Sequence, residues 1–268
     1  MKQSLTRIGG ILLRYLYLHT RSLPRLFEIF FWPVMELLVW GFVSVYFQSL
    51  VADPATKIAA ILVSAMVFWD ILYRSQQAVS IAVVEDIWTQ NILNILISPL
   101  RIWEWLVATF VYGFMKITMI TLLLSAIALG LYHFNLFQSL GLLMIPLLVN
   151  LLFFGWALGV FTSALVIRWG HSAEALIWGI PYLVQPVSAI YYPVSVLPAP
   201  LQWVAKSIPS TYVFEGIRQV TKTHTLPWEY FWTALGLNLL YFLLASLFFG
   251  KMFRSARNSG RLGRLGMD

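Results

Sequence analysis

"SLGLLMIPLLVNLLFFGWALGVFTSALVI", residues 139–167, contains no Asp, Glu, Lys, Arg or His. About 20 mostly apolar residues are enough for a helix to cross the hydrocarbon core of a bilayer. Lipid offers the backbone no hydrogen-bond partner, so a run of this kind is either a helix or a strand of a closed barrel. The alternation of a barrel strand is absent here, which predicts a helix. Working outward, five further stretches meet the same length criterion, at roughly 27–49, 57–79, 104–132, 174–192 and 228–250. The expectation is an all-α polytopic membrane protein with six transmembrane helices across 27–250.

The composition agrees. The chain has 268 residues, of which 60% are hydrophobic and 11% charged, against about 25% charged in soluble domains. One domain, 1–268, accounts for the whole. The absence of cysteine excludes disulfides, thiolate metal sites and cysteine nucleophiles. The net charge of +7 sits beside apolar spans, which fits retention of loops on the cytoplasmic side better than binding of nucleic acid. With the N-terminus inside, that side holds Lys2, Arg7, Arg14, Arg21, Arg25, Arg74, Arg101, Arg168, Lys251, Arg254, Arg257, Arg261 and Arg264. The outer side holds only Lys57, Lys206, Arg218 and Lys222. Both termini are therefore expected in the cytoplasm of a multi-pass protein of the cell membrane, with 251–268 a basic tail.

Residues 1–25 lack the uninterrupted apolar core of a cleaved signal. Arg7, Arg14 and Arg21 recur every seven residues and share one helical face. Leu5, Ile8, Leu12, Tyr15 and Leu16 supply an apolar side, as in an amphipathic helix lying in the membrane interface. A solvated basic tail is the alternative.

Two segments fit neither a span nor a solvated loop. "WTQNILNILISPLR" (88–101) mixes Gln90, Asn91 and Asn94 among Ile and Leu, then stops at Ser98-Pro99. Trp88 to Ile97 is long enough for about two to three helical turns, and the residue before a proline avoids the helical region. It reads either as a surface helix offering one face to a partner or as an amphipathic linker. The segment 193–227 carries Pro193, Pro198, Pro200 and Pro209, yet stays apolar between them. Short helices at 202–205 and 212–220, re-entering the outer leaflet, are expected there.

Charges within spans cost about 2.5–3.5 kcal/mol each on insertion scales, so Glu36 and Lys116 stand out. Their depths differ by about 4–5 Å, and an ion pair between them is expected, within one subunit or between two, as a gate or as a packing clamp. Asp70 and Arg74 are spaced for a local helical pair at the end of span two. Glu85 and Asp86 read as a solvated helix end rather than an acid/base pair. Tyr46, Trp103, Trp105, Tyr191, Tyr192 and Trp228 form an aromatic belt or line a path. No GxxxxGK[ST], HExxH or GxSxG occurs, and His19, His133, His171 and His224 are too scattered for a metal site.

At this point the chain resembles the membrane subunit of ABC-2-type exporters, the group containing O-antigen, teichoic-acid, nodulation lipo-oligosaccharide and daunorubicin-type permeases. The likeness covers nearly the whole length. Its most specific parts are "NILISPL" (94–100) and "YYPVSVLPAPLQWVAKSIPSTYVFEGIR" (191–218), with Ser210 near where an asparagine-proline pair is common. The resemblance implies that helix 87–98 couples to a separate ATP-binding cassette ATPase, through Trp88, Thr89, Gln90, Asn91, Asn94, Ser98 and Pro99. It implies an outer re-entrant gate at Tyr191, Tyr192, Pro193, Pro198, Pro209, Glu215 and Arg218. A second copy of the chain, or a related permease, would complete the pathway for an amphipathic or lipid-linked molecule or a hydrophobic drug. This chain would bind no cofactor, with ATP and Mg held by the partner. A membrane-embedded lipid-modifying enzyme and a non-transporting scaffold are the competing classes.

Overall fold

The computed structural model describes residues 2–50, 58–132, 141–223 and 225–260. Lys57, His133, His224, Arg261, Arg264 and the side chains of Leu93 and Leu96 lie outside the described residues. Ten α-helices and no strand occur among those described. They are α1 (Lys2–Thr20), α2 (Leu23–Leu50), α3 (Ile58–Trp88), α4 (Ile92–Ile97), α5 (Ile102–Tyr132), α6 (Ile145–Trp169), α7 (Ala175–Val187), α8 (Ala199–Ser207), α9 (Pro209–Thr223) and α10 (Trp228–Asn258).

Four of them are long and apolar enough to cross a membrane: α2, α5, α10, and α6 with the 3-10 turns that extend it over Leu142–Ala173. The expected span 174–192 takes another form. Its helix α7 has 13 residues, about 20 Å of rise, against a hydrocarbon core of about 30 Å. Pro181 and Pro186 lie inside α7, and beyond it Ala189 takes the left-handed conformation, φ 54°. That backbone turn ends the helix, and the rest of the segment continues as non-helical chain.

The centre of the bundle is α3, which packs against α2, α5, α6 and α7. It outruns its expected end at 79 and continues to Trp88 because Val79, Ala82, Val83, Val84 and Ile87 all find buried partners. Small residues set how close the neighbours come. A Cβ on Gly155 of α6 would collide with Ser75, and one on Gly159 would lie 2.8 Å from the Gln76 carbonyl oxygen. Lipid tails are as apolar as leucine, so such close backbone contact, rather than hydrophobic exclusion, drives helix association in a bilayer. Asp70 and Arg74 thus lie mid-helix rather than at its end, and their local pairing is present, with Arg74 Nε 2.8 Å from both Asp70 oxygens.

Buried polar side chains complete the seam. Gln76 Nε2 donates to Ser80 Oγ (3.0 Å), Thr162 Oγ1 (3.1 Å) and the Ile177 carbonyl (3.2 Å), tying α3 to α6 and α7. Asn238 Nδ2 donates to the backbone and side-chain oxygens of Asn150 at 2.9 and 2.8 Å, tying α10 to α6.

Candidate functional site

The stretch 88–101 is a turn, a short helix and a stop. Gln90 N donates to the Ile87 carbonyl (2.9 Å) and Asn91 N to the Asp86 carbonyl (2.8 Å), while Gln90 takes φ 52°. This pattern of 5→2 and 6→1 bonds around a left-handed residue is a Schellman cap. The helix that follows has six residues, shorter than the expected Trp88-to-Ile97 piece, because the cap occupies the first positions. Ile92 and Ile95 are buried against the α3 core, whereas Trp88, Asn94 and Pro99 are exposed and Ile97 is 83% exposed. Ser98 Oγ donates to the Ile95 carbonyl at 2.6 Å and closes the helix before Pro99. One face is anchored and the other is offered outward.

The same end of α3 is gripped by α1. Arg7 meets Glu104 with Nε–Oε2 2.9 Å and Nη2–Oε1 2.7 Å. Arg14 pairs with Asp86, and Arg25, just beyond α1, sits 3.9 Å from Glu85. Tyr15 donates to Asp86 Oδ2 (3.2 Å) and accepts from Trp105 Nε1 (2.8 Å). The Asp86 and Glu104 side chains have no exposed surface. This corrects the expectation of a solvated Glu85-Asp86 helix end: burial of a carboxylate is tolerated where a guanidinium compensates it, and here α1 brings Arg14 and α2 brings Arg25. Of the three arginines spaced by seven, Arg7 and Arg14 make ion pairs, while Arg21 lies over the Tyr17 ring at 5.1 Å.

Burial holds the Tyr15 hydroxyl well above its ordinary pKa, and the Asp86 charge adds to the effect. His19 is pushed down to about 4, first by burial and then by the charges of Lys116 and Arg25.

A second loop, which sequence reasoning missed, lies at this end. Trp88 Nε1 donates to Glu174 Oε1 at 2.9 Å, and His171 Nδ1 lies 2.5 Å from the same oxygen. The turn between α6 and α7, with Trp169 49% exposed, therefore flanks the end of α3 from which α4 hangs. Its signal, a Trp-Gly-His-Ser run after a long apolar stretch, is indistinguishable from an ordinary helix end.

Midway along the bundle, the expected Glu36–Lys116 pair is not among the ion pairs of the described residues. Glu36 lies in the field of Asp70 and Arg74. Lys116 lies in the field of Arg74, Glu85 and Glu28, with Nζ 5.9 Å from the Tyr112 ring centroid. Similar depth does not bring the two charges together within the chain, and Arg74 on α3 is taken by Asp70.

At the opposite end, the proline-rich segment forms α8 and α9, longer than the pieces expected at 202–205 and 212–220. Pro198 caps α8 and Pro209 opens α9, positions that need no backbone N–H. Glu215 Oε1 accepts from Val194 N (2.8 Å), just past Pro193. Arg218 donates to the carbonyls of Ala189 (2.7 Å) and Ile190 (3.1 Å) and to Glu215 Oε2 (3.2 Å). Two side chains of α9 therefore clamp the 189–194 turn. Tyr191 stacks on Trp40 of α2, with centroids 4.6 Å apart, and Tyr192 donates to the Pro186 carbonyl at 2.5 Å. A cavity of about 420 Å³ lies beside the clamp, lined in part by Ser64, Phe214, Glu215, Arg218 and Tyr230.

No protein-family model matches the chain, and no curated protein matches it. The functional reading therefore rests on the residues themselves.

Proposed function

We propose that this chain is the membrane subunit of an ATP-driven exporter of the ABC-2 type. The carrying observation is α4: a short helix buried on one side through Ile92 and Ile95, exposed on the other through Asn94 and Ile97. It hangs from the end of the central helix, so a partner pressing on it acts on α3 directly. Through Asp86 the same point is joined to α1, and through Glu174 to the turn before α7. A surface helix alone would need only to be exposed; this one is wired into three helices. In this reading both termini are cytoplasmic, α3 and the α7 segment complete six passes, and two copies face each other around the pathway. A separate ATPase binds at Trp88, Asn94 and Ile97 and carries ATP and Mg. The α9 clamp on 189–194 closes the outer end.

Co-purification tests the reading. The chain, co-expressed with the ATP-binding cassette ATPases of its own genome, retains one of them on an affinity column and stimulates its ATP turnover. Ile97→Asp with Asn94→Arg abolishes both while the helical content stays unchanged. If no ATPase is retained, or if the double variant binds and turns over as the parent does, the exporter reading fails.

A further inference from the structure

Glu36 lies near the middle of α2, about 20 Å along the axis from Leu23. It is half-buried and makes no hydrogen bond or ion pair among the described residues. The charges that act on it are Asp70 and Arg74. Those two satisfy each other, since Arg74 Nε lies 2.8 Å from both oxygens of Asp70. The Glu36 carboxyl is left without a partner of its own.

Aromatic side chains lie in its neighbourhood. Trp40, one turn along α2, stacks on Tyr191 at 4.6 Å. Tyr73 of α3 lies 5.7 Å from Tyr182 of α7, and the Glu36 charge acts on Tyr73, Tyr182 and Tyr191 alike. Tyr182 is 56% exposed, so the group opens outward between α2, α3 and α7. Ionisable side chains at this depth face protein or a water-filled path, because lipid would not solvate them. The negative ring faces repel anions and attract large, weakly hydrated cations. A small metal cation would instead require six or more oxygens, and one carboxylate does not supply them.

We propose that this face binds a lipophilic organic cation, a quaternary or protonated centre on an apolar body. Glu36 supplies the charge, and Trp40, Tyr73, Tyr182 and Tyr191 supply the ring faces. The inference rests on the exporter reading in one respect: the cation is the cargo of that path. The probe pair is tetraphenylphosphonium and tetraphenylborate, which share size and shape and differ in sign. Equilibrium dialysis of the purified chain in detergent is expected to show the phosphonium bound at least ten-fold more tightly. Glu36→Gln, which preserves volume, abolishes the preference, and Tyr182→Ala, an exposed position, weakens phosphonium binding several-fold. Trp232→Ala, on the exposed face of α10, changes neither. Equal binding of the two ions, or an unaltered preference in Glu36→Gln with unchanged melting temperature, overturns the proposal. ATPase retention on the same preparations separates the two claims. Retention without charge preference sinks the cation site alone, whereas charge preference without retention sinks the exporter reading and keeps the site.

Discussion

Removing the guanidinium of Arg14 strands a carboxylate that water cannot reach. Asp86 is fully enclosed, and breaking a buried pair from one side costs about 3–5 kcal/mol. Arg14→Ala is expected to destabilise the protein by that amount in a thermal-unfolding assay. Arg14→Gln combined with Asp86→Asn, which removes both charges, recovers most of the loss. His19 makes a second prediction, with a sign fixed by its environment. Its Nδ1 faces the Tyr15 carbonyl at 3.0 Å, its ring packs 5.3 Å from Tyr112, and Lys116 and Arg25 repel a proton there. Released from this setting, the ring takes a proton near pH 6.5; docked, it resists down to about 4. Protons are thus bound more by the released state across that window, so stability falls as pH drops from about 6.5 to about 4. Hydrogen exchange over α1 should accelerate in the window, and His19→Gln should flatten the His19 contribution.

At the scale of elements, packing decided what local pattern could not. The four long apolar helices were legible because each carries enough uninterrupted hydrophobic length. The continuation of α3 to Trp88 was not, since Glu85-Asp86 looks like a place to meet water. Its meaning depends on Arg14, 72 residues away, and the grip on α5 depends on a pair 97 residues apart. The spacing of the arginines showed that α1 has a charged face; it did not show that the face points at protein. Within the chain Glu36 and Lys116 make no pair, because depth is a one-dimensional coordinate and does not say which way each helix turns its side chains. The Gly155 and Gly159 contact makes a packing prediction. Gly155→Leu inserts a side chain where Ser75 already sits, and overpacking of this kind costs about 1–3 kcal/mol. Reduced thermal stability, with Gly236→Leu as an unobstructed control, is the expected result.

For the molecule as a whole, sidedness is the property to measure, and the chain is suited to it because it contains no cysteine. Asn94→Cys and Lys222→Cys place single thiols at opposite ends of the bundle, both at exposed positions. In intact cells a membrane-impermeant maleimide is expected to label Lys222→Cys only, and Asn94→Cys only after permeabilisation. The reverse pattern would invert the orientation inferred from the lysines and arginines.

The close contact at Gly155 also defines a fulcrum. Ser75 and Gln76, which press on α6 there, divide the 31 residues of α3 into arms of about 19 Å toward Trp88 and about 26 Å toward Ile58. A helix is stiff along its length, so a sideways displacement at the α4 end returns at the far end reversed and enlarged about 1.4-fold, the ratio of those arms. A force applied at Ile97 would thereby be geared up to a wider swing beside Ser64, where the cavity and the α9 clamp lie.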